Sequence, residues 1–161
     1  MSLLFDYGLL QALYGRLRLV NAYGSELLPL RVEGRAEYWD GTRWLLNTLD
    51  NTSQIAAGGM SINAGGVGSN LCFLNFPPPS SPGNGNCLAA SPTTTVNKGI
   101  AWWAVFDKPT PLLGFADLTA NAPSWLEGKW NGSATGYNQD PQARLRFGAA
   151  RSPYIYMRER Y

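Results

Sequence analysis

The sequence predicts an all-β fold, an antiparallel β-sandwich with little helix. Three observations indicate this fold class. Apolar and polar residues alternate with a period of two along several segments, which is typical of strands with one buried face. Turn-forming residues are frequent, with 18 Gly and 11 Pro in 161 residues, so the segments between turns are short. Aromatic residues, which favour strands, make up 12% of the chain, while only 15% of the residues are charged.

The clearest strands lie in the first third of the chain. Residues 14–21 (YGRLRLVN) and 30–39 (LRVEGRAEYW) alternate apolar and charged positions. An Asp-Gly pair at 40–41 follows the second of them. Such a pair between two strand-like segments indicates a hairpin, because Gly accepts the positive φ that a type I′ turn needs. We therefore predict a hairpin in which Trp39 and Trp44 are near cross-strand partners.

The rest of the chain is predicted to form further short strands and loops. Gly, Ala, Ser and Asn dominate residues 53–70, which indicates a loop with one weak strand at most. Strands are predicted at 70–76, 96–107, 112–117, 143–147 and 154–158, a helical turn at 123–130 and a weak helix at 3–13. Roughly six to nine strands without a repeat or linker predict one domain over residues 1–161, an immunoglobulin-like or lectin-like sandwich.

The composition argues against several classes of function. The net charge is only +2, and the basic residues are scattered or alternate with acids, so no nucleic-acid partner is expected. No apolar segment is long enough for a membrane span. The chain has no histidine, which removes the commonest general base and metal ligand. We therefore predict a domain that is not an enzyme and needs no cofactor.

A hydrolase that uses two carboxylates is the enzymatic alternative. The spacing of the acidic residues singles out no such pair. Glu33 and Glu37 alternate with Arg31 and Arg35 along one strand, which indicates a solvated ladder of charges on its outer face.

The two cysteines, Cys72 and Cys87, flank a loop rich in Pro and Gly. In an exported protein such a pair indicates one disulfide. Two buried free thiols are the alternative, since free cysteine is often buried.

The loop at 130–141 contains several oxygen-bearing side chains, of which Asn131, Asn138 and Asp140 are weak candidates for calcium ligands. Calcium prefers several carboxylates, and only one of these residues is charged. Turn formation explains the loop adequately, so we predict no metal site.

The tryptophans suggest a binding site for carbohydrate, because sugars stack on exposed aromatic rings. The candidate ligand-binding residues are Trp39, Trp44 and Trp103. Trp102 and Trp103 are adjacent in a predicted strand, so their side chains point to opposite faces. Packing in the core or across strands is the alternative for each of the three candidates.

Both ends of the sequence resemble a known family. Residues 14–50 (YGRLRLVNAYGSELLPLRVEGRAEYWDGTRWLLNTLD) and 140–161 (DPQARLRFGAARSPYIYMRERY) are similar to the opening and the close of a C-terminal domain of uncharacterised function in MshQ-like proteins. In that domain a D-P-x-A-R-x-x-F-G segment precedes an aromatic strand and a terminal R-E-x-Y. MshQ-like proteins belong to the biogenesis of the MSHA (type IV) pilus.

The resemblance implies a C-terminal module of a larger exported protein, located outside the bacterial cytoplasm. Its expected partners are other pilus or cell-surface proteins and, as the alternative, glycans; no catalytic residue is implied. The chain departs from the family pattern at two places. Residues 51–53 (NTS) lack a cysteine that members often carry there, and residues 130–139 lack most acids of a calcium-loop-like stretch.

These inferences together predict a non-catalytic module of pilus biogenesis or adhesion that acts through protein or surface contacts. A carbohydrate-binding module is the first alternative, and the carboxylate hydrolase is the second.

Overall fold

The computed structural model describes residues 14–25, 27–63, 71–78, 87–107, 114–130 and 136–148. The predicted helix at 3–13 and the predicted strand at 154–158 lie outside these ranges. The described residues form eleven strands and one 3-10 helix: β1 Gly15–Leu19, β2 Ala22–Gly24, β3 Leu30–Trp39, β4 Trp44–Leu46, β5 Gln54–Ile55, β6 Met60–Asn63, β7 Leu71–Leu74, β8 Thr94–Thr95, β9 Ile100–Asp107, β10 Gly114–Ala120, the 3-10 helix Ser124–Leu126, and β11 Gln142–Phe147.

The strands form two larger sheets and one small one. The first sheet has the order β1-β3-β9-β7, and β4 also pairs with β3. The second has the order β2-β11-β10-β6, and β5 pairs with β8 in the third. All pairings are antiparallel except that of β2 with β11. The predicted all-β antiparallel sandwich is therefore confirmed.

One hydrophobic core joins the inner faces of the two larger sheets. Alternation along β3 buries Leu30, Val32 and Ala36 while it exposes Arg31 and Arg35, as the sequence pattern predicted. The second sheet contributes its own alternating residues, among them Leu118 of β10 and Leu145 and Phe147 of β11. Burial of these apolar side chains is the main force that holds the sheets together.

The largest side chain in this core is Trp103 of β9, which has 0% exposure. It lies over Gly34 of β3. A Cβ atom at position 34 would approach Cζ3 of the Trp103 ring to 2.7 Å. A glycine is therefore needed at position 34 because the indole occupies the space that a side chain would fill.

The predicted hairpin is confirmed, with Trp39 and Trp44 directly paired, but its turn is longer than a two-residue type I′ turn. Four residues, 40–43, connect the strands. The Asp40 carboxylate accepts hydrogen bonds from the backbone N–H groups of Thr42 and Arg43, both at 2.8 Å. These bonds hold the pKa of Asp40 below its usual value. Gly41 still takes a positive φ of 104°.

Two strands lie where a loop with at most one weak strand was predicted. They are β5 and β6, within residues 53–70. The strand β6 pairs with β10, and the N–H of Met60 donates to the buried hydroxyl of Ser91 at 3.1 Å. The strand β2 was not predicted either. Their partners are distant in sequence, so local composition carries little signal for these strands.

The cysteines form the predicted disulfide between Cys72 and Cys87, with 5.4 Å between their Cα atoms. Cys72 lies in β7. Beside the bond, the backbones of Phe73 and Leu88 exchange two hydrogen bonds, of 3.2 and 2.8 Å. The disulfide therefore holds the segment at 87–88 against the edge of the first sheet.

A surface ion pair on the second sheet leads to a prediction about pH. The Arg144 guanidinium donates two hydrogen bonds to the Asp117 carboxylate, of 2.8 and 3.0 Å, and holds its pKa below the usual value. A carboxyl whose pKa is lowered by folding stabilises the protein above its unfolded pKa of about 3.9. That stabilisation is lost as the pH falls through the lower folded pKa.

We expect wild type to be more stable than Asp117→Asn at pH 7 by less than about 1 kcal/mol, since the pair is solvent-exposed. The difference should vanish in strong acid. Urea unfolding of both proteins at a series of pH values measures it. A difference that stays constant down to the lowest pH would contradict the prediction.

Candidate functional site

The described surface carries a group of aromatic side chains at one end of the first sheet. This aromatic patch consists of Tyr14, Trp39, Trp44, Trp130 and Tyr137. The centroid of the Tyr14 ring lies 5.6 Å from that of Trp44 and 5.2 Å from that of Tyr137. The rings of Trp39 and Trp44 lie 5.5 Å apart. The turn at 40–43 positions the two tryptophans, because it makes them a cross-strand pair.

Three rings of the patch are open to solvent. The exposed fractions are 44% for Tyr14, 39% for Trp39 and 57% for Tyr137. Soluble proteins rarely gather large aromatic side chains at one exposed place unless the surface binds something. Burial and the neighbouring Tyr137 raise the pKa of Tyr14. A tyrosine hydroxyl can both donate and accept hydrogen bonds.

Arg16 contacts two rings of the aromatic patch. Its guanidinium carbon is 4.0 Å from the centroid of Trp44 and 5.0 Å from that of Trp130, which are distances of cation–π contacts. Its Nε donates to the Glu37 carboxylate at 2.8 Å. The guanidinium therefore holds two of the rings in place.

Glu37 differs from the predicted solvated ladder of charges. It lies on the outer face of β3, as expected, but only 7% of its surface is exposed. Arg16 and Arg18 both lie within ion-pair distance of its carboxylate, at 2.7 and 3.7 Å. Glu33 pairs with Arg35 on the same strand. These two carboxylates are thus engaged by arginines.

A close approach of the backbone sets the position of Trp130. Gly128 lies beneath the indole, where a Cβ atom would come within 2.7 Å of the ring nitrogen of Trp130. The backbone N–H of Trp130 donates to the side-chain oxygen of Gln139 at 2.9 Å. The backbones of Gly128 and Gln139 exchange two hydrogen bonds of 3.0 Å. These three hydrogen bonds to Gln139 bring the ring of Trp130 beside Arg16.

A second feature of the same sheet is a cleft of about 300 Å³. The cleft lies between the end of β7, the strand β8 and the start of β9. The rings of Phe76 and Trp102 line it in nearly parallel planes, 12° apart, with their centroids separated by 5.9 Å. Its other lining residues carry amide, hydroxyl or apolar side chains: Asn75, Pro92, Thr93, Thr94, Thr95, Asn97 and Ile100.

The structure brings two of the three predicted ligand-binding tryptophans together and corrects the third. Trp39 and Trp44 are adjacent in the aromatic patch, with ring planes tilted by 58°. Trp103 is fully buried and cannot contact a ligand at the surface. The outward residue of the pair is Trp102, which is half-buried and lines the cleft. Both faces of β9 are apolar, so the alternation in sequence could not show which ring points inward.

Sequence reasoning missed most of the other residues of the two features. Tyr14 and Arg16 meet Trp44, and Tyr137 meets Tyr14, only because strands and loops far apart in sequence converge there. Phe76 lies two residues after the end of β7, and the sequence predicted it only as the end of a strand. No local pattern could have identified these residues.

In the part of the chain that the structure describes, the weak candidates for metal ligands do not form a metal site. Asn131 lies outside that part. The Asp140 carboxylate accepts the N–H of Ala122 at 2.9 Å, so it stabilises the backbone there, and Asn138 lies in the loop before it. The described ranges contain no group of three or more His, Cys, Asp or Glu side chains that could hold a metal ion. Those ranges also contain no helix of sufficient length and hydropathy to cross a membrane.

A family model described as DUF6701, fourth domain, matches residues 13–160, which is nearly the whole chain. No curated protein and no solved structure matches the chain.

Proposed function

This chain belongs to the family of DUF6701 fourth domains, and we propose that it is a non-catalytic module that binds other proteins through the aromatic patch. The observation that carries the proposal is the exposed group of Tyr14, Trp39 and Tyr137, which Trp44 connects to Arg16. Tyr, Trp and Arg are the residue types that dominate the binding energy of protein interfaces. Their rings provide a large apolar area and their polar atoms provide hydrogen bonds.

The order that is already present in the aromatic patch supports this role. Arg16 is held by Glu37 and by two rings, so little side-chain entropy remains to be lost on binding. Trp39 and Tyr137 remain exposed and so are available to a partner. A rigid aromatic surface with a charged group beside it suits a protein partner that has apolar side chains surrounded by polar groups.

The expected location is outside the bacterial cytoplasm, within a larger exported protein. The disulfide between Cys72 and Cys87 supports this location, because structural disulfides persist in oxidising compartments. The description of the family as a fourth domain supports a module among others. The similarity of residues 14–50 and 140–161 to MshQ-like proteins supports a role in type IV pilus biogenesis or adhesion.

Site-specific photo-crosslinking in the bacterium that produces the protein tests this proposal. A photoreactive phenylalanine analogue is placed at position 39 or 137 of the full-length protein, and at position 125 as the control. Trp125 is also exposed, at 66%, but is not one of the rings of the aromatic patch. We expect crosslinks to defined pilus or surface proteins from positions 39 and 137 only.

A substitution completes the test. Trp39→Ala should abolish the crosslink from position 137 and reduce the number of assembled pili, whereas Trp125→Ala should do neither. Equal crosslinking from all three positions, or normal pili in the Trp39→Ala strain, would contradict the proposal.

A further inference from the structure

We propose that the cleft lined by Phe76 and Trp102 is a separate binding site for a neutral saccharide. It lies on the outer face of the first sheet, as the aromatic patch does. Trp102 pairs with Glu33, and Trp44 pairs with Trp39. Glu33 and Trp39 are six positions apart along β3, which separates the two sites by about 20 Å. The two sites can therefore be tested independently.

The aromatic wall of the cleft is the first argument. Phe76 and Trp102 lie in planes only 12° apart, while Trp39 and Trp44 in the aromatic patch are tilted by 58°. A sugar ring has a face of C–H groups whose hydrogens are slightly positive, and the face of an aromatic ring is slightly negative. The two rings are stacked with 5.9 Å between their centroids, a separation wider than full overlap, so part of each ring face is left for such a ligand.

The wall is held in place from several sides. Trp102 extends outward from β9 in the middle of the sheet. Phe76 follows β7, which the disulfide at Cys72 ties to Cys87. The guanidinium carbon of Arg31 lies 5.6 Å from the centroid of the Phe76 ring. The rings are thus ordered before a ligand binds, which reduces the entropy lost on binding.

The polar groups of the cleft are the second argument. Asn75 and Asn97 are exposed at its rim. Their side-chain amides form no hydrogen bond with another residue of the described ranges. Each amide can donate two hydrogen bonds and accept two, and sugar hydroxyls both donate and accept. A few convergent polar groups beside an apolar wall are the usual construction of a small-molecule site.

The charge and size of the cleft define the class of ligand. None of its lining residues is ionisable, so nothing in the lining would compensate the charge of a phosphate or a carboxylate. The volume of about 300 Å³ is at the lower end of the range for small-molecule sites. This size suits a short neutral saccharide or the terminal unit of a longer glycan.

Two binding measurements test the proposal. The oxidised domain is applied to an array of neutral oligosaccharides that end in mannose, galactose, glucose or N-acetylglucosamine. The methyl glycosides of the same sugars are also titrated at millimolar concentration by saturation-transfer difference NMR. We expect saturable binding of at least one sugar.

Four variants locate the site. Trp102→Ala and Asn97→Ala should weaken binding at least ten-fold. Trp102→Phe, which keeps an aromatic face, should retain most of it. Trp39→Ala, in the aromatic patch, should leave it unchanged. The melting temperature of each variant shows whether the domain is still folded.

Three results would overturn the inference. The first is the absence of binding in both the array and the titration. The second is full binding by folded Trp102→Ala. The third is a loss of binding in Trp39→Ala but not in Trp102→Ala, which would place the sugar on the aromatic patch. Crosslinks from position 39 depend on none of these results, so the proposed protein contact can fail or succeed separately.

Discussion

Replacement of Trp103 by alanine is expected to lower the free energy of unfolding by about 3–5 kcal/mol. The indole is fully buried and is the largest fully buried side chain in the core between the two sheets. Its removal eliminates the stabilisation that comes from burying the apolar area of the indole. It also leaves a cavity that the close-packed neighbours cannot fill. Urea unfolding at neutral pH measures the loss. Trp125→Ala is the control, because that ring is exposed and its removal should change stability by at most about 0.5 kcal/mol.

The contact between Trp103 and Gly34 can be tested by a double-mutant cycle. Gly34→Ala places a methyl group about 2.7 Å from the indole, and overpacking of this kind costs about 1–3 kcal/mol. In a Trp103→Leu background the same change should cost clearly less, since the ring that it meets is absent. Equal costs in the two backgrounds would show that the indole is not what requires glycine at position 34.

Removal of the disulfide by the double substitution Cys72→Ala and Cys87→Ala is expected to cost about 3 kcal/mol. The bond closes a loop between residues separated by 15 positions, so it restricts the unfolded chain. Alanine is the suitable replacement at position 72, because that residue is buried and a serine hydroxyl there would need a partner. The measurement is the difference in unfolding free energy between the oxidised protein and the variant.

The same double variant tests whether the disulfide orders the cleft in addition to stabilising the fold. Phe76 lies four residues after Cys72, within the loop that the disulfide closes. We expect the folded variant to bind a saccharide more weakly than wild type, while crosslinking from position 39 is retained. Reduction of the wild-type disulfide should have the same effects. For the stability prediction, a decrease in the free energy of unfolding of less than about 1 kcal/mol in the double variant would contradict the stabilising role of the disulfide.

The two candidate sites give the outer face of the first sheet a common design. Aromatic rings lie at each end, and the arginines of β1 and the alternating arginines and glutamates of β3 lie between them. Arg16 contacts rings of the aromatic patch, and Arg31 lies above the Phe76 ring at the other end. The charged residues therefore help to position both aromatic groups.

The sequence alone was sufficient for the fold class and for several individual elements. The alternation in residues 30–39 predicted β3 with its bounds and its buried face, because a period of two is a local property that one strand displays by itself. The hairpin at 40–41 and the disulfide between Cys72 and Cys87 were predicted for the same reason. Each depends on a few residues that are close in sequence.

Only the tertiary structure decided which aromatic residues lie together and which are buried. Trp102 and Trp103 are chemically identical neighbours, and the pairing of Trp103 with Val32 places it in the core. The patch around Arg16 and the cleft at Phe76 each join residues that are distant in the chain. Register and convergence of this kind depend on pairings between remote strands, and a single strand's own sequence does not contain that information.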